Sequence, residues 1–301
     1  MFKESKITVF GAANVDITGF PESNLVFKDA NIGSMKITAG GVGRNIAENL
    51  KHLDFDVELI SIFGDGPLSD FLVKDCQDKG LKIDRSLFLK DIPASTFIAI
   101  LNNYNDLAVG ISAMQLYDKI DDNLFISNLP DKLYSEYVVL ETNLSAKILQ
   151  QIVKKYPDKK LVLDTVSGKK ALRAKVILKN LHILKTNLLE AETMSGIKVQ
   201  NDKDLKKLIA YFITQGVSKV FITLGKQGVI YGTKDFIEKQ DPVKAEVKNT
   251  IGAGDSFVAG LVYADILKKS ISEMAIYGMR MAALTVSCEK AVNPQVHKLK
   301  V

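Results

Sequence analysis

The chain of 301 residues contains no tryptophan, only two cysteines and only three histidines. Cys76 and Cys288 lie far apart in the sequence, so no disulfide framework is expected and the thiols indicate a reducing compartment. His52, His182 and His297 share no metal-ligand spacing, and we expect them to be structural or surface residues. These scarcities exclude a disulfide-stapled domain and a histidine-based metal enzyme.

Arginine is also scarce, since the chain has four arginines among its 40 basic residues: Arg44, Arg85, Arg173 and Arg280. Proteins that read nucleic acids depend on the planar arginine fork, and the lysines of this chain form no basic stripe. We therefore expect no nucleic-acid partner. The formal net charge of +5 suits an anionic small ligand.

No apolar run is long enough to span a membrane, which needs about 18 consecutive residues. The N-terminal segment MFKESKITVFGAANVD is too polar for a signal peptide. The sequence thus predicts a cytoplasmic protein with no membrane partner. Hydrophobic residues make up 47% and charged residues 25% of the chain, which is typical of a globular protein with a large core.

Short apolar runs alternate with longer amphipathic stretches along the chain. The runs predicted as strands are apolar on both faces, as in a buried parallel sheet, and cover 7–13, 57–64, 137–142, 160–166, 181–187 and 219–225. The predicted helices cover 43–54, 67–80, 145–156, 188–196 and 201–216. This alternation predicts an α/β fold with a central, mainly parallel sheet flanked by helices, and we expect 1–301 to form a single domain.

Two segments, at about 17–41 and 93–112, interrupt this alternation. The first contains no helix-length pattern, and the second is predicted as a β-hairpin with 102–106 as its turn. We expect both segments to form a small sheet beside the main one. Such a sheet could serve as a lid over a site, as a packing extension or as a dimer surface.

The segment NTIGAGDSFVAGLVYADIL (249–267) carries the sharpest chemical signal. Gly252, Ala253 and Gly254 present successive backbone N–H groups before a predicted helix, whose N-terminus adds partial positive charge. This arrangement predicts an anion hole for a transferring phosphoryl group. Asp255 lies at the helix start, where we expect it to stay ionised and to accept a hydroxyl proton. The alternative role for Asp255 is an ordinary N-cap.

Two polar motifs near the N-terminus suggest a site for hydroxyl groups. Asn14 and Asp16 follow the first predicted strand, and ligands of doubly wound sheets bind beyond the carboxyl ends of strands. Asp16 could accept both protons of a diol, or it could be a turn residue. In TAGGVGRNIAENL (38–50), Gly41 permits close backbone approach, and Asn45 could hydrogen-bond a ligand hydroxyl from the first turn of the next helix.

Two later motifs are ambiguous. In KTNLLEAE (185–192), Asn187 and Glu190 are three residues apart and could form a capping box or lie near phosphate and Mg²⁺-bound water. In ITLGKQGVIYG (222–232), a strand, a glycine turn and a second strand could form a plain hairpin or cradle a nucleotide.

Taken together, these motifs resemble those of a known family. GGVGRN and NTIGAGDSF are similar to the two signature regions of the PfkB/ribokinase family of carbohydrate kinases, NLLE resembles its N-x-x-E motif, and TLGKQG resembles its nucleotide-binding turn. The order and spacing agree along almost the whole chain. The resemblance implies a ribokinase-like fold with a β lid and ATP-dependent, Mg²⁺-assisted phosphorylation of a sugar hydroxymethyl group.

The resemblance also implies a role for each matching residue. The sugar side comprises Asn14, Asp16, Gly41 and Asn45. The nucleotide side comprises Asn187, Thr223, Gly225 and Gly228, with Glu190 holding Mg²⁺ through water. The transfer site comprises the anion hole at Gly252, Ala253 and Gly254 and the base Asp255.

Within the family, the segments 11–21, 110–121 and 282–294 are similar to enzymes that phosphorylate the 5′-hydroxymethyl of pseudouridine. Ala113 replaces an expected acid, and Asn249 replaces an aspartate that often helps to bind a monovalent cation such as K⁺. The alternatives are a ribokinase, an adenosine or other nucleoside kinase, a fructokinase, or a non-catalytic sensor of nucleosides or sugars. The resemblance further implies a homodimer through the β lid.

Overall fold

The computed structural model describes residues 5–104 and 106–300. The ends of the predicted domain at 1–4 and 301, and Asn105 in the predicted turn, lie outside the described residues. The strands of the described part are β1 (Lys6–Phe10), β2 (Asn14–Pro21), β3 (Gly33–Gly40), β4 (Asp56–Ile60), β5 (Ile62–Asp65), β6 (Leu87–Pro93), β7 (Thr96–Leu101), β8 (Leu107–Ala113), β9 (Tyr137–Glu141), β10 (Lys160–Asp164), β11 (Leu181–Asn187), β12 (Lys219–Thr223), β13 (Val229–Gly232) and β14 (Ile237–Gln240).

Several helices begin directly after a residue whose side chain caps the helix N-terminus. Ser145, Asn201 and Ser270 each cap a helix by accepting a backbone N–H through the side chain. The α-helices are α1 (Val42–His52), α2 (Pro67–Asp78), α3 (Gln115–Asp118), α4 (Asp122–Ser127), α5 (Ala146–Lys155), α6 (Gly168–Ala171), α7 (Leu188–Ser195), α8 (Asp202–Thr214), α9 (Ala253–Ile266) and α10 (Ile271–Val286). Short 3₁₀ helices cover Leu172–Val176, Leu178–Asn180, Gly225–Gln227 and Pro294–Lys300.

The main sheet has eight strands in the order β14-β13-β12-β11-β10-β9-β1-β4. The six strands from β12 to β4 are parallel, and β13 and β14 add an antiparallel edge. Two buried clusters cover its faces, one with α1, α2, α9 and α10 and the other with α5, α7 and α8. The predicted α/β architecture with a mainly parallel sheet is therefore confirmed, whereas the single domain stays a prediction.

A separate four-stranded sheet, hereafter the lid sheet, has the order β3-β2-β7-β8. It unites the two segments that interrupt the α/β alternation, and β7 and β8 form the predicted hairpin. β2 begins at Asn14, three residues before the predicted start, because the chain leaves β1 at Phe10 and turns through three buried residues.

Two elements differ from the predictions. The predicted strand 57–64 is interrupted at Ser61, whose buried hydroxyl donates to Gly11 O at 2.7 Å, and its second half pairs with β6 in a two-stranded sheet. α10 lacked a helical prediction, although its buried residues, such as Ile271, Met274 and Gly278, recur at helical spacing. No helix in the described residues is long and apolar enough to cross a membrane.

Helix α9 runs through the core and is anchored at the end remote from its N-terminus. Asp265 accepts hydrogen bonds from Tyr137 Oη at 2.6 Å and contacts Lys219 Nζ, and His182 Nε2 lies 2.6 Å from its Oδ2. These three partners are the first or second residues of β9, β11 and β12. Although burial opposes ionisation, the three partners hold the pKa of Asp265 far below its usual range.

Candidate active site

The site lies at the carboxyl edge of the main sheet, where polar residues end otherwise apolar strands. Glu141 ends β9, Asp164 ends β10 and Asn187 ends β11. The N-termini of α1, α7 and α9 begin at the same edge. Parallel strands bring these ends together, so residues far apart in sequence share one cleft.

Asp255 lies in the first turn of α9 with only 8% of its surface exposed. Asn45 Nδ2 donates to Asp255 Oδ2 at 2.8 Å, although the two residues are 210 positions apart. The structure therefore joins the two sharpest motifs of the sequence at one carboxylate. A hydrogen bond from a neutral amide leaves this carboxylate free to accept a proton through its other oxygen.

The surroundings of Asp255 do not hold it permanently ionised, which differs from the prediction. Burial raises its pKa, and Asp164 raises it further, to about 7, while Asn45 and Lys185 oppose the shift. The helix N-terminus alone would have favoured the anion. A carboxyl group that titrates near neutrality is suited to take up a proton at one step and release it later.

At the segment predicted to form the anion hole, the backbone turns into α9 at Gly252. Gly252 precedes α9 in the left-handed conformation with φ of +79°, and Ser256 N donates to its carbonyl at 2.9 Å. A Cβ on Gly254 would lie 2.7 Å from Lys185 Nζ. The Lys185 ammonium therefore lies against the first turn of α9. Its charge adds to the positive potential of the helix N-terminus.

Lys185 is buried and paired with Asp164, whose two carboxylate oxygens lie 3.0 and 3.1 Å from its Nζ. Burial favours the neutral amine, but Asp164 and Glu190 outweigh it and raise the pKa of Lys185 above its usual value. Lys185 is therefore a fixed cation at neutral pH.

Asn187 and Glu190 form the capping box of α7. Glu190 N donates to Asn187 Oδ1 at 2.9 Å, and Asn187 N donates back to Glu190 Oε2 at 3.1 Å. Thr165 Oγ1 adds a donation to Glu190 Oε2 at 2.5 Å. The structural role is thus realised, and it holds the buried Glu190 carboxylate three residues past the end of β11, near Lys185.

The sugar-side residues gather where β1, β2 and α1 meet. Asn14 Nδ2 donates to Asp16 Oδ1 at 2.6 Å. Burial raises the pKa of Asp16, while Asn14 and Arg44 oppose the shift. Gly41, with φ of +101°, starts α1, and a Cβ there would lie 2.4 Å from Ala12 O. Only glycine fits this approach, which brings Asn45 toward the cleft.

The nucleotide-side residues form a second group at the end of β12. Thr223 is in register with Asn187 on the neighbouring strand. Gly225 opens a short 3₁₀ helix and Gly228 closes it, both with positive φ. A Cβ on Gly228 would lie 2.0 Å from Gln240 O, so this glycine is required by packing. The register with Asn187 places Thr223 beside the start of α7.

Sequence reasoning missed Glu141, Asp164 and Lys185. Glu141 is fully buried and accepts from Ala12 N and from Asn143 N, the latter at 2.6 Å. Burial raises its pKa to about 7. Each of the three is the polar residue at or near the end of an apolar strand, in VVLE, LVLD and HILK. That position was the available signal, because the carboxyl ends of parallel strands line ligand sites.

Buried carboxylates outnumber buried cations in this cleft. The acids Glu141, Asp164, Glu190 and Asp255 face one another with Lys185 as the buried cation among them. No cluster of three or more candidate ligands suitable for a protein-only metal cage occurs in the described ranges. The buried Glu190 carboxylate at this edge fits Mg²⁺, which binds through one or two carboxylates, several waters and substrate phosphates rather than in a protein cage.

The chain is similar over nearly its whole length to known proteins. Residues 4–298 match the family model described as pfkB family carbohydrate kinase. The chain is 29% identical over 299 residues to pseudouridine kinase of Escherichia coli (strain K12), covering 98% of this chain and 95% of that protein. A carbohydrate kinase structure from Agrobacterium tumefaciens is 25% identical, with a TM-score of 0.80 and coverage of 98% and 95%.

A ribokinase from Arabidopsis thaliana, solved with ribose and ATP, superposes with a TM-score of 0.82 at 21% identity and covers 99% of both chains. At that identity the likeness shows the fold, which is ribokinase-like.

Proposed function

The chain belongs to the pfkB family of carbohydrate kinases, and on that premise we propose that it transfers the terminal phosphoryl group of ATP to the 5′-hydroxyl of pseudouridine. Phosphorylation of a sugar or nucleoside hydroxyl follows from the family itself. The choice of pseudouridine is supported by the 29% identity to pseudouridine kinase and by the similar segments at 11–21, 110–121 and 282–294. Ala113 lies at the end of β8 and replaces an acid expected there.

The observation that carries the proposal is the buried contact of Asn45 with Asp255 beside Lys185. In the proposed reaction, the acceptor hydroxyl lies against Asp255, which takes its proton as the new O–P bond forms and the bond from the phosphoryl group to the departing ADP breaks. Asn45 and Asp16 hold the hydroxyls of the sugar ring. Gly252, Ala253 and Gly254, with Lys185, stabilise the charge on the transferring phosphoryl oxygens.

ATP and Mg²⁺ are the proposed co-substrate and cofactor. Asn187, Thr223, Gly225 and Gly228 would line the nucleotide, and Glu190 would hold Mg²⁺ through water. When bound, the ion would neutralise charge on the phosphates. The excess of buried acids in the cleft supports a requirement for such a cation.

The direct test is ADP release from Mg·ATP with pseudouridine, uridine, adenosine, ribose and fructose offered separately. We expect selective turnover of pseudouridine. Turnover of ribose or adenosine instead would keep the kinase and discard the substrate. A nucleoside that binds without turnover would support the sensor alternative.

The pH dependence of the reaction should follow the titration of Asp255. Because the pKa of this residue is raised to about 7, its basic form becomes scarce below neutrality. We expect kcat/KM to rise about tenfold per pH unit from pH 5 to 7 and to level off above. The residual rate of Asp255→Asn is the control and should lack this acid limb. A wild-type rate that is flat from pH 5 to 8 would contradict the role of Asp255.

We also propose a homodimer through the lid sheet. The strand register places Asp16 on one face, toward the site, and an apolar set on the opposite face. That set is largely exposed and comprises Met35, Ile37, Ile100, Val109 and Ile111. An exposed apolar face made of five neighbouring side chains favours association with a second copy.

The substitution Ile111→Lys should therefore convert the protein to a monomer, because it buries a charge in the proposed interface. Light scattering after size exclusion measures the mass. Tyr134→Lys, at an exposed aromatic outside the lid sheet, is the control and should stay dimeric. A monomeric wild-type protein at the assay concentration would overturn the dimer.

Binding of a monovalent cation such as K⁺ and a cytoplasmic location are both untested. Asn249 Nδ2 donates to Glu289 O at 3.2 Å, so a neutral amide occupies the position expected to be an acid. Comparing turnover in KCl with turnover in choline chloride tests the cation requirement.

A further inference from the structure

We propose that Arg44 is a positioning residue for phosphoryl transfer, because its guanidinium fixes which end of the Asn45 carboxamide faces Asp255. The proposal rests on the role of Asp255 proposed above. Arg44 follows the glycine motif in α1 and is only 3% exposed. Arginine is almost never buried this deeply unless its guanidinium is paired with other groups.

Three groups surround the guanidinium. Arg44 Nη1 lies 2.6 Å from Glu48 Oε2 and donates to Asn45 Oδ1 at 3.1 Å. Arg44 Nη2 lies 2.5 Å from Asp75 Oδ2 on α2. The two acids keep the guanidinium charged, since Glu48 and Asp75 raise its pKa although burial opposes them. Of the three groups, Asn45 is the one that also contacts Asp255 in the cleft.

A carboxamide has two ends of nearly equal shape, one an acceptor and the other a donor, so packing alone does not choose its orientation. A guanidinium has five donors and no acceptor. Contact with Arg44 therefore selects the oxygen end of Asn45 on that side. The nitrogen end must then face Asp255, where it donates to Oδ2 at 2.8 Å.

This orientation decides which state of Asp255 is favoured. A donated N–H stabilises the carboxylate, whereas a flipped amide would bring its oxygen against the carboxylate and favour the protonated acid. The other charged groups facing Asp255 are Glu141 on β9, Asp164 on β10 and Lys185 on β11, and a change at position 44 leaves them in place. Arg44 itself faces Asp16, Glu48, Asp75 and the Cys76 thiol.

The test compares two variants that lose the same ion pair with α2. Asp75→Asn alone keeps the contact of Arg44 with Asn45. Arg44→Met combined with Asp75→Asn removes that contact without leaving Asp75 as a lone buried anion. The readout is the carboxyl ¹³C titration of Asp255, assigned by its loss in Asp255→Asn, together with the acid limb of kcat/KM.

We expect the double variant to bind the Asp255 proton about tenfold more tightly than Asp75→Asn, as the loss of a hydrogen bond to a charged group requires. The acid limb should move toward higher pH by the same factor, while Asp75→Asn should match the wild type. Equal titrations in the two variants would overturn the proposal.

A further variant and a readout without substrate complete the test. If the double variant does not fold, adding Glu48→Gln neutralises the second acid paired with Arg44 and allows the same titration. The titration needs no substrate. A protein without kinase activity would refute the proposed function and with it the role of Arg44 in phosphoryl transfer, whereas an active kinase with unchanged titration would refute this proposal alone.

Discussion

Replacing Asp255 with asparagine should lower kcat by about 10²–10⁴-fold, the range expected for the loss of a general base. The fold and ligand binding should persist, because asparagine has the same shape and its amide can still pair with Asn45. ADP release with the best substrate measures the rate, and calorimetric titration measures binding. Near-normal turnover in this variant would remove Asp255 from the mechanism.

The same substitution should stabilise the folded protein at high pH. The pKa of Asp255 is raised by burial and by Asp164 to about 7, so the native state holds this proton more tightly than the unfolded chain. The stability that this proton contributes is fully present at about pH 4 and is lost as pH rises through about 7. Asp255→Asn should therefore melt a few degrees higher than the wild type at pH 8, and the difference should shrink toward pH 4.

The second large effect is expected for Gly252→Ala. Gly252 has φ of +79°, and a Cβ there would lie 2.0 Å from the carbonyl oxygen of Ala291. Because that contact is with backbone, the loop before α9 must shift and the anion hole must open. We expect kcat to fall about 10²–10³-fold, as when an oxyanion-hole donor is lost, together with a lower melting temperature.

Gly196→Ala is the matched control for that change. Gly196 ends α7 with φ of +76°, nearly the same backbone conformation, but nothing lies within 4 Å of a Cβ there. It should show only the left-handed strain of about 1 kcal/mol and near-normal kcat. If both variants lost activity equally, general destabilisation rather than the anion hole would explain the result.

The sequence was informative where the chemistry is local. The glycines around Asp255 and before Asn45 form continuous motifs, and the capping box of Asn187 with Glu190 is set by a spacing of three residues. These patterns predicted the helix starts correctly. The α/β alternation likewise predicted the main sheet, because strands buried on both faces need continuous apolar runs.

Residues that act through tertiary contacts left weaker signals. Asp164 and Lys185 each interrupt an apolar strand once, and their pairing depends on the adjacency of β10 and β11. Arg44 looked like one basic residue on an ordinary helix, since Asp75 is 31 positions away. The parallel pairing of β2 with β7 likewise joins segments about 80 residues apart, which no local pattern encodes.

The anchor of α9 at Asp265 has a consequence for how this chain can change in length. Tyr137, His182 and Lys219 hold Asp265 at the amino ends of three strands, and the carboxyl ends of those strands carry Glu141, Lys185 and Thr223. Helix α9 and each of the three strands therefore connect the Asp265 anchor at one end with the candidate active site at the other. One residue inserted into any of them would break either the anchor or the cleft. Insertions and deletions should be tolerated in the connecting loops, whereas these four elements must keep a fixed length.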